Sequence, residues 1–127
     1  MSEDQVVNNN QFLAALNSLE DAVKWASADA PHGAVSPVSI VAAVRVLVLV
    51  LNAGFVPPDF VVDLDGEIEM NWTLFTGRWL SVTVASTGHL IYAWVLNGAH
   101  GCRVSVFDGA ALPLELTEKL SAVTCAA

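Results

Sequence analysis

The stretch "VSPVSIVAAVRVLVLVLNAGFV" (Val35 to Val56) decides how the whole chain is read, because it is apolar enough to cross a bilayer in a chain of only 127 residues. A run of about 20 apolar residues suffices for a span. Two features argue for a helix in a soluble core instead. Arg45 falls near the middle of the run, where an arginine in lipid costs roughly 2.5 to 3.5 kcal/mol, and no Lys/Arg cluster flanks either end to set an orientation. The run is also punctuated as soluble helices are. Ser36 supplies an N-cap, Pro37 the first helical position, and Asn52 with Gly54 a left-handed stop. The helix is apolar nearly all round, with Ala42, Arg45, Leu49 and Asn52 as its least apolar stripe. The segment "VRVLVLVL" also suits a strand, but a run of this length with caps at both ends favours helix.

Composition agrees with one globular unit. The length is that of a single domain, and 54% hydrophobic against 14% charged residues excludes disorder beyond the ends. Residues 1–9 are expected to be a flexible N-terminus and residues 10–127 a single α+β domain. The opening "MSEDQVVNNN" lacks the basic start and apolar centre of a secretory signal, which points to the cytoplasm. Cys102 and Cys125 make no disulfide framework. Thirteen acids against five bases give a net charge of −8, and Lys24, Arg45, Arg78, Arg103 and Lys119 are scattered singly. Direct nucleic-acid binding is disfavoured, because phosphate neutralisation needs clustered bases. An acidic surface suits a basic protein partner.

Along the chain, Phe12, Leu13, Leu16, Leu19, Val23 and Trp25 recur at helical spacing, with Glu20, Asp21 and Lys24 outside, so a first helix is expected from about Asn10 to Ala28. After Pro57-Pro58 the period falls from 3.6 to 2. The runs "FVVDL", "IEMNWTLF", "WLSVTVAS", "LIYAWVL" and "CRVSVF" are separated by "DG", "TGR", "TGH" and "NGAHG", the pattern of an antiparallel meander. Ile68, Met70, Trp72 and Leu74 alternate with Glu67, Glu69, Asn71 and Thr73, and Leu80, Val82 and Val84 with Ser81 and Thr83, so each strand is expected to have one apolar and one polar face. A three-residue loop of Asp65, Gly66 and Glu67 would let Leu64 share the apolar face with Ile68. "LPLELTEKLSAV" reads as a short C-terminal helix. The fold class is therefore α+β: two N-terminal helices, a five-stranded antiparallel meander covered on one face by helices, and a short C-terminal helix.

Trp25, "SPVSI", "DGEIEMNW" (Asp65 to Trp72) and "GHLIY" (Gly88 to Tyr92) stand in an order that resembles a family of small uncharacterised bacterial and phage proteins. Those carry a tryptophan after an N-terminal helix, a proline-capped helix, an acidic-Gly-x-Ile-x-x-x-Trp strand and a later Gly-x-x-x-Tyr strand. The likeness covers roughly Trp25 to Tyr92 and departs from the pattern at "WASADAPHG", where an acidic residue is expected directly after the tryptophan. It implies a fold, with no cofactor and no catalytic residue to carry over.

The residues of chemical interest have weak spacing. His89, His100, Cys102 and Asp108 include zinc-ligand types without paired spacing, and His100 reads as a solvated turn residue, so no metal site is expected. Cys102 with His89, His100 or His32 lacks a helix N-terminus to activate a thiolate, so no catalytic residue is assigned. The informative feature is the base-free run Asp59, Asp63, Asp65, Glu67 and Glu69, accompanied by Phe75, Trp79 and Phe107 at positions off the apolar face. Acids beside aromatics on an open sheet form the expected partner-binding surface. The expected function is a non-enzymatic protein-interaction module of an inhibitor or antitoxin-like kind, engaging a basic protein partner. An open sheet edge narrowly favours a homodimer. Two alternatives stand: a small-molecule-binding or catalytic domain with a pocket lined by Trp25, Trp72, Tyr92 and Trp94, and an anti-defence inhibitor that mimics nucleic-acid charge.

Overall fold

The computed structural model of the chain describes residues 3–28, 35–74, 77–96 and 98–124. Ser36 caps the apolar helix α2 (Pro37–Asn52), its hydroxyl accepting the Ser39 N–H at 3.3 Å, with Pro37 in the first turn. At the other end Gly54 (φ 87°) donates to the Leu51 carbonyl and Phe55 to that of Val50, a paired closure that needs a left-handed residue at Gly54. No helix among the described residues is long and apolar enough to cross a membrane. Ser39, Ala43, Val46, Leu47, Val50 and Leu51 form the buried side of α2. Its exposed stripe is Val38, Val41, Arg45 and Asn52, so Ala42 and Leu49 are half-buried rather than outward.

Helix α1 runs Glu3–Ala28, so it starts seven residues before the expected Asn10. Ala15 and Leu19 are buried, with Phe12, Leu16, Val23 and Ala26 half-buried beside them. Leu13 and Trp25, expected on this face, are 57% and 76% exposed. Each lies six residues from Leu19, which is about 120° around a helix.

Five strands follow, β1 (Asp59–Val62), β2 (Ile68–Leu74), β3 (Arg78–Val84), β4 (His89–Leu96) and β5 (Ala99–Val106), then α3 (Leu114–Thr124). They form one antiparallel sheet in sequence order. Ile68, Met70, Trp72, Leu80, Val82, Val84, Leu90 and Tyr92 face the helices and make the core with Val46, Val50, Leu116 and Leu120. The Ser39 hydroxyl donates to the Val84 carbonyl at 2.8 Å, tying α2 to β3 and satisfying the buried serine. Trp72 Nε1 donates to the Val56 carbonyl at 2.8 Å. The Leu74 side chain lies outside the described residues.

The β1–β2 loop has three residues, but they are Leu64, Asp65 and Gly66 rather than Asp65 to Glu67. Asp63 stands opposite Glu67, donating its N–H to the Glu67 carbonyl, and Gly66 N–H closes a turn on the Asp63 carbonyl. A three-residue hairpin of this type requires its last loop residue at positive φ, and Gly66 (φ 77°) meets that. The shift leaves Leu64 at the loop tip, 81% exposed, instead of on the apolar face. At the β4–β5 turn only positions 97 and 98 lie between the paired Leu96 and Ala99, so His100 belongs to a strand and not to the expected turn.

Candidate functional site

The helices α1, α2 and α3 all lie against the same layer of the sheet, which leaves its other face open. The register defines that outer face as transverse rows. Val61, Glu69, Thr83, Ile91 and Val104 form one row, Asp59, Asn71, Ser81, Ala93 and Cys102 the next, and Thr73, Trp79, Val95 and His100 a third. Val61, Ile91, Val95, Val104 and Val106 are all more than one third exposed. The face is thus acidic at its β1–β2 side and apolar at its β4–β5 side.

Of the partner-binding residues expected from the sequence, Asp59 and Glu69 lie on this face, with Asp59 exposed and Glu69 half-buried. Trp79 also lies there, half-buried between Thr73 and Val95. Asp63, Asp65 and Glu67 lie in or beside the loop at the end of the sheet. Asp63 Oδ1 accepts the Asp65 and Glu67 N–H groups at 2.9 and 3.0 Å, and Glu67 Oε2 accepts the Ser86 N–H at 2.7 Å, which ties the β1–β2 loop to the β3–β4 turn. Phe75 lies outside the described residues. Phe107 departs from expectation: it is half-buried and packs on the core from the helix side of the sheet. Position 107 keeps the parity of Arg103 and Ser105, which face the helices, and its N–H extends the ladder to the Gly88 carbonyl at 3.3 Å, so alternation carries the ring inward.

The sequence reading missed Ile91, Val95, Val104 and Val106. The signal was present, since "LIYAWVL" is apolar at both parities and so cannot have a polar face. The expectation of one apolar and one polar face holds for β2 and fails for β4.

All five Lys/Arg residues sit on the helix side. Lys24, Arg45 and Lys119 belong to α1, α2 and α3. Arg78 shares the helix-facing parity of Leu80, and its Nη1 donates to the Ala122 carbonyl of α3 at 3.2 Å. Arg103 pairs across the ladder with Tyr92 and forms an ion pair with Glu115, which also accepts the Tyr92 hydroxyl at 3.0 Å. Burial, reinforced by the Glu115 carboxylate, pushes the Tyr92 phenol above its ordinary value near 10. Lys119 Nζ lies 4.4 Å from the Trp94 ring centre, a cation–π contact.

One carboxylate oxygen from each of Asp63, Asp65 and Glu67 lies within 4.8 Å of the others, the only grouping of three ligand-type side chains among the described residues. His89, His100, Cys102 and Asp108 do not converge. The backbone hydrogen bonds above account for Asp63 and Glu67 as turn-closing groups. The four aromatics expected to line a pocket are also separated in role: Trp25 faces solvent, whereas Trp72 and Tyr92 are core residues with their polar ends bonded within the chain. Trp94 lies against Tyr92, ring centres 6.0 Å apart. An open cleft of about 470 Å³ on the helix side is lined by Val41, Ala42, Arg45, Phe107, Asp108 and neighbouring small residues. Asp108 is held below the usual carboxylate range by the N–H groups of Ala110 and Ala111, which its Oδ1 accepts at 2.8 and 3.3 Å.

Comparison with known proteins finds no matching family model, no matching curated protein and no matching solved structure.

Proposed function

We propose that the chain is a non-enzymatic interaction module whose outer sheet face docks on a protein surface that is apolar at its centre and rimmed with Lys/Arg, in the manner of a small inhibitor of a basic protein. The observation that carries this reading is the segregation of charge: every Lys and Arg stands on the helix side, while Asp59 and Glu69 share the outer face with exposed Ile91, Val95 and Val104. A monomer gains no folding stability from apolar side chains left in water, and contiguous apolar surface with a charged border marks docking faces. The acids steer a basic partner and set orientation, and the apolar residues supply the buried centre.

The test uses the immobilised chain against host lysate. The wild type is expected to retain a partner that is released as salt rises, because screening weakens exposed charge pairs. Asp59→Lys with Glu69→Lys should abolish retention, and so should Ile91→Asp, with circular dichroism showing each variant folded. Retention that is indifferent to both variants, or no retention above background, would end this reading.

A further inference from the structure

We propose that the free edge of β5 pairs with β5 of a second copy, antiparallel about Val104, to make a continuous ten-stranded sheet. The sheet has two edges, β1 and β5, and they differ in how they are protected. β1 has four residues, follows Pro57-Pro58, starts on Asp59 and is packed by α1. These are the devices that keep an edge from pairing. β5 has eight residues, no proline and no lysine, and among the described residues no strand or helix runs along its free side. Its one charged side chain, Arg103, is drawn to Glu115 on the helix side.

The backbone pattern shows which groups the edge presents. Ala85 N–H bonds the His89 carbonyl, so His89, Ile91, Ala93 and Val95 direct their main-chain groups toward β3. Leu90, Tyr92, Trp94 and Leu96 then bond Ser105, Arg103, Gly101 and Ala99. His100, Cys102, Val104 and Val106 therefore turn both N–H and C=O to the free edge. Pairing about Val104 sets Val104 against Val104 and Val106 against Cys102 of the second copy, twice. These three narrow pairs exchange two hydrogen bonds each, and they cover Val104 and Val106, which are 58% and 77% exposed. A register about Arg103 would oppose like charges. One about Cys102 would set Val104 against His100.

Charge selects a second copy over a basic partner at this edge. β5 contains no acid, whereas five of the 13 acids lie between Asp59 and Glu69 at the other end of the sheet, about 14 to 19 Å away at three to four strand spacings. In the paired sheet the two acidic ends stand about 34 to 43 Å apart at seven to nine spacings, well beyond a Debye length of about 8 Å. These five acids of each copy thus stay clear of the junction, and the nearest acid on α3, Glu115, is neutralised by Arg103.

Light scattering at micromolar and higher concentration decides the matter. The wild type should show a mass of twice 13.4 kDa. Val104→Pro removes an N–H that the β4–β5 ladder does not use and is tolerated at an edge, so it should reduce the mass to 13.4 kDa with the circular dichroism unchanged. Val104→Lys should do the same without a proline. Glu69→Lys should keep the doubled mass, which separates this pairing from partner docking. A wild-type mass that stays at 13.4 kDa, or a doubled mass that survives Val104→Lys, overturns the proposal. A Cys102 to Cys102 disulfide formed on mild oxidation also overturns it, because pairing about Val104 holds these residues four positions apart along the strand.

Discussion

Trp72 is the side chain whose removal should cost this fold most. It is 3% exposed on the core face of β2, and its Nε1 donates to the Val56 carbonyl at 2.8 Å, holding the segment after α2 against the sheet. An indole of this kind buries about 200 Å², which at about 25 cal/mol per Å² is about 5 kcal/mol. Truncations of buried aromatics to alanine cost about 3 to 5 kcal/mol once the cavity partly relaxes. Trp72→Ala is therefore expected to lose about 4 kcal/mol from a total margin of about 5 to 15 kcal/mol. For a domain of this size, that corresponds to a fall in Tm of roughly 10 to 20 °C. Trp72→Phe separates the two contributions, since it keeps most of the ring contact and removes the donor. Its loss should be about 1 to 2 kcal/mol, the low side being favoured because Val56 is half exposed and its carbonyl can turn to water. Urea unfolding followed by circular dichroism measures both variants. A loss below about 1 kcal/mol for Trp72→Ala would refute the assignment of this β2 face to the core. Equal losses for Phe and Ala would show that the hydrogen bond, not burial, carries the energy.

Two further outcomes follow from particular contacts. A Cβ at Gly101 would fall inside van der Waals contact with Cζ2 and Cε2 of Trp94, so Gly101→Ala should displace the indole from Lys119 and cost about 1 to 3 kcal/mol, read by urea unfolding and Trp fluorescence; an unchanged midpoint would contradict the close approach. Tyr92 is the only tyrosine, so phenolate absorbance reports it directly, with a midpoint expected above the ordinary value near 10. Because its folded value is raised, its contribution to stability is complete below the unfolded value and is lost as pH rises through the folded one. Tm should therefore fall more steeply above pH 10 in the wild type than in Tyr92→Phe, and parallel falls would refute the burial of the hydroxyl.

The sequence by itself determined the element order, the caps of α2 and the core face of β2 and β3. These are local: Ser36, Pro37 and Gly54 act within one turn of their own positions, and alternation from Ile68 to Trp72 allows one burial pattern. It also located the acids. What it could not determine was which of them share a surface, because Asp59 and Glu69 reach the outer face through strand parity while Asp63 and Glu67 are spent on closing a turn. The frame of the β1–β2 loop shifted by one residue, since the need for positive φ at Gly66 outweighed any gain from burying Leu64. The covering of one sheet face by helices was legible in the sequence, but only the tertiary structure decided that all five bases gather on that covered face. The bases are far apart in sequence, and long-range packing of apolar stripes on α1, α2 and α3 chose the covered side. The outer face was left to the residues that this choice did not bury.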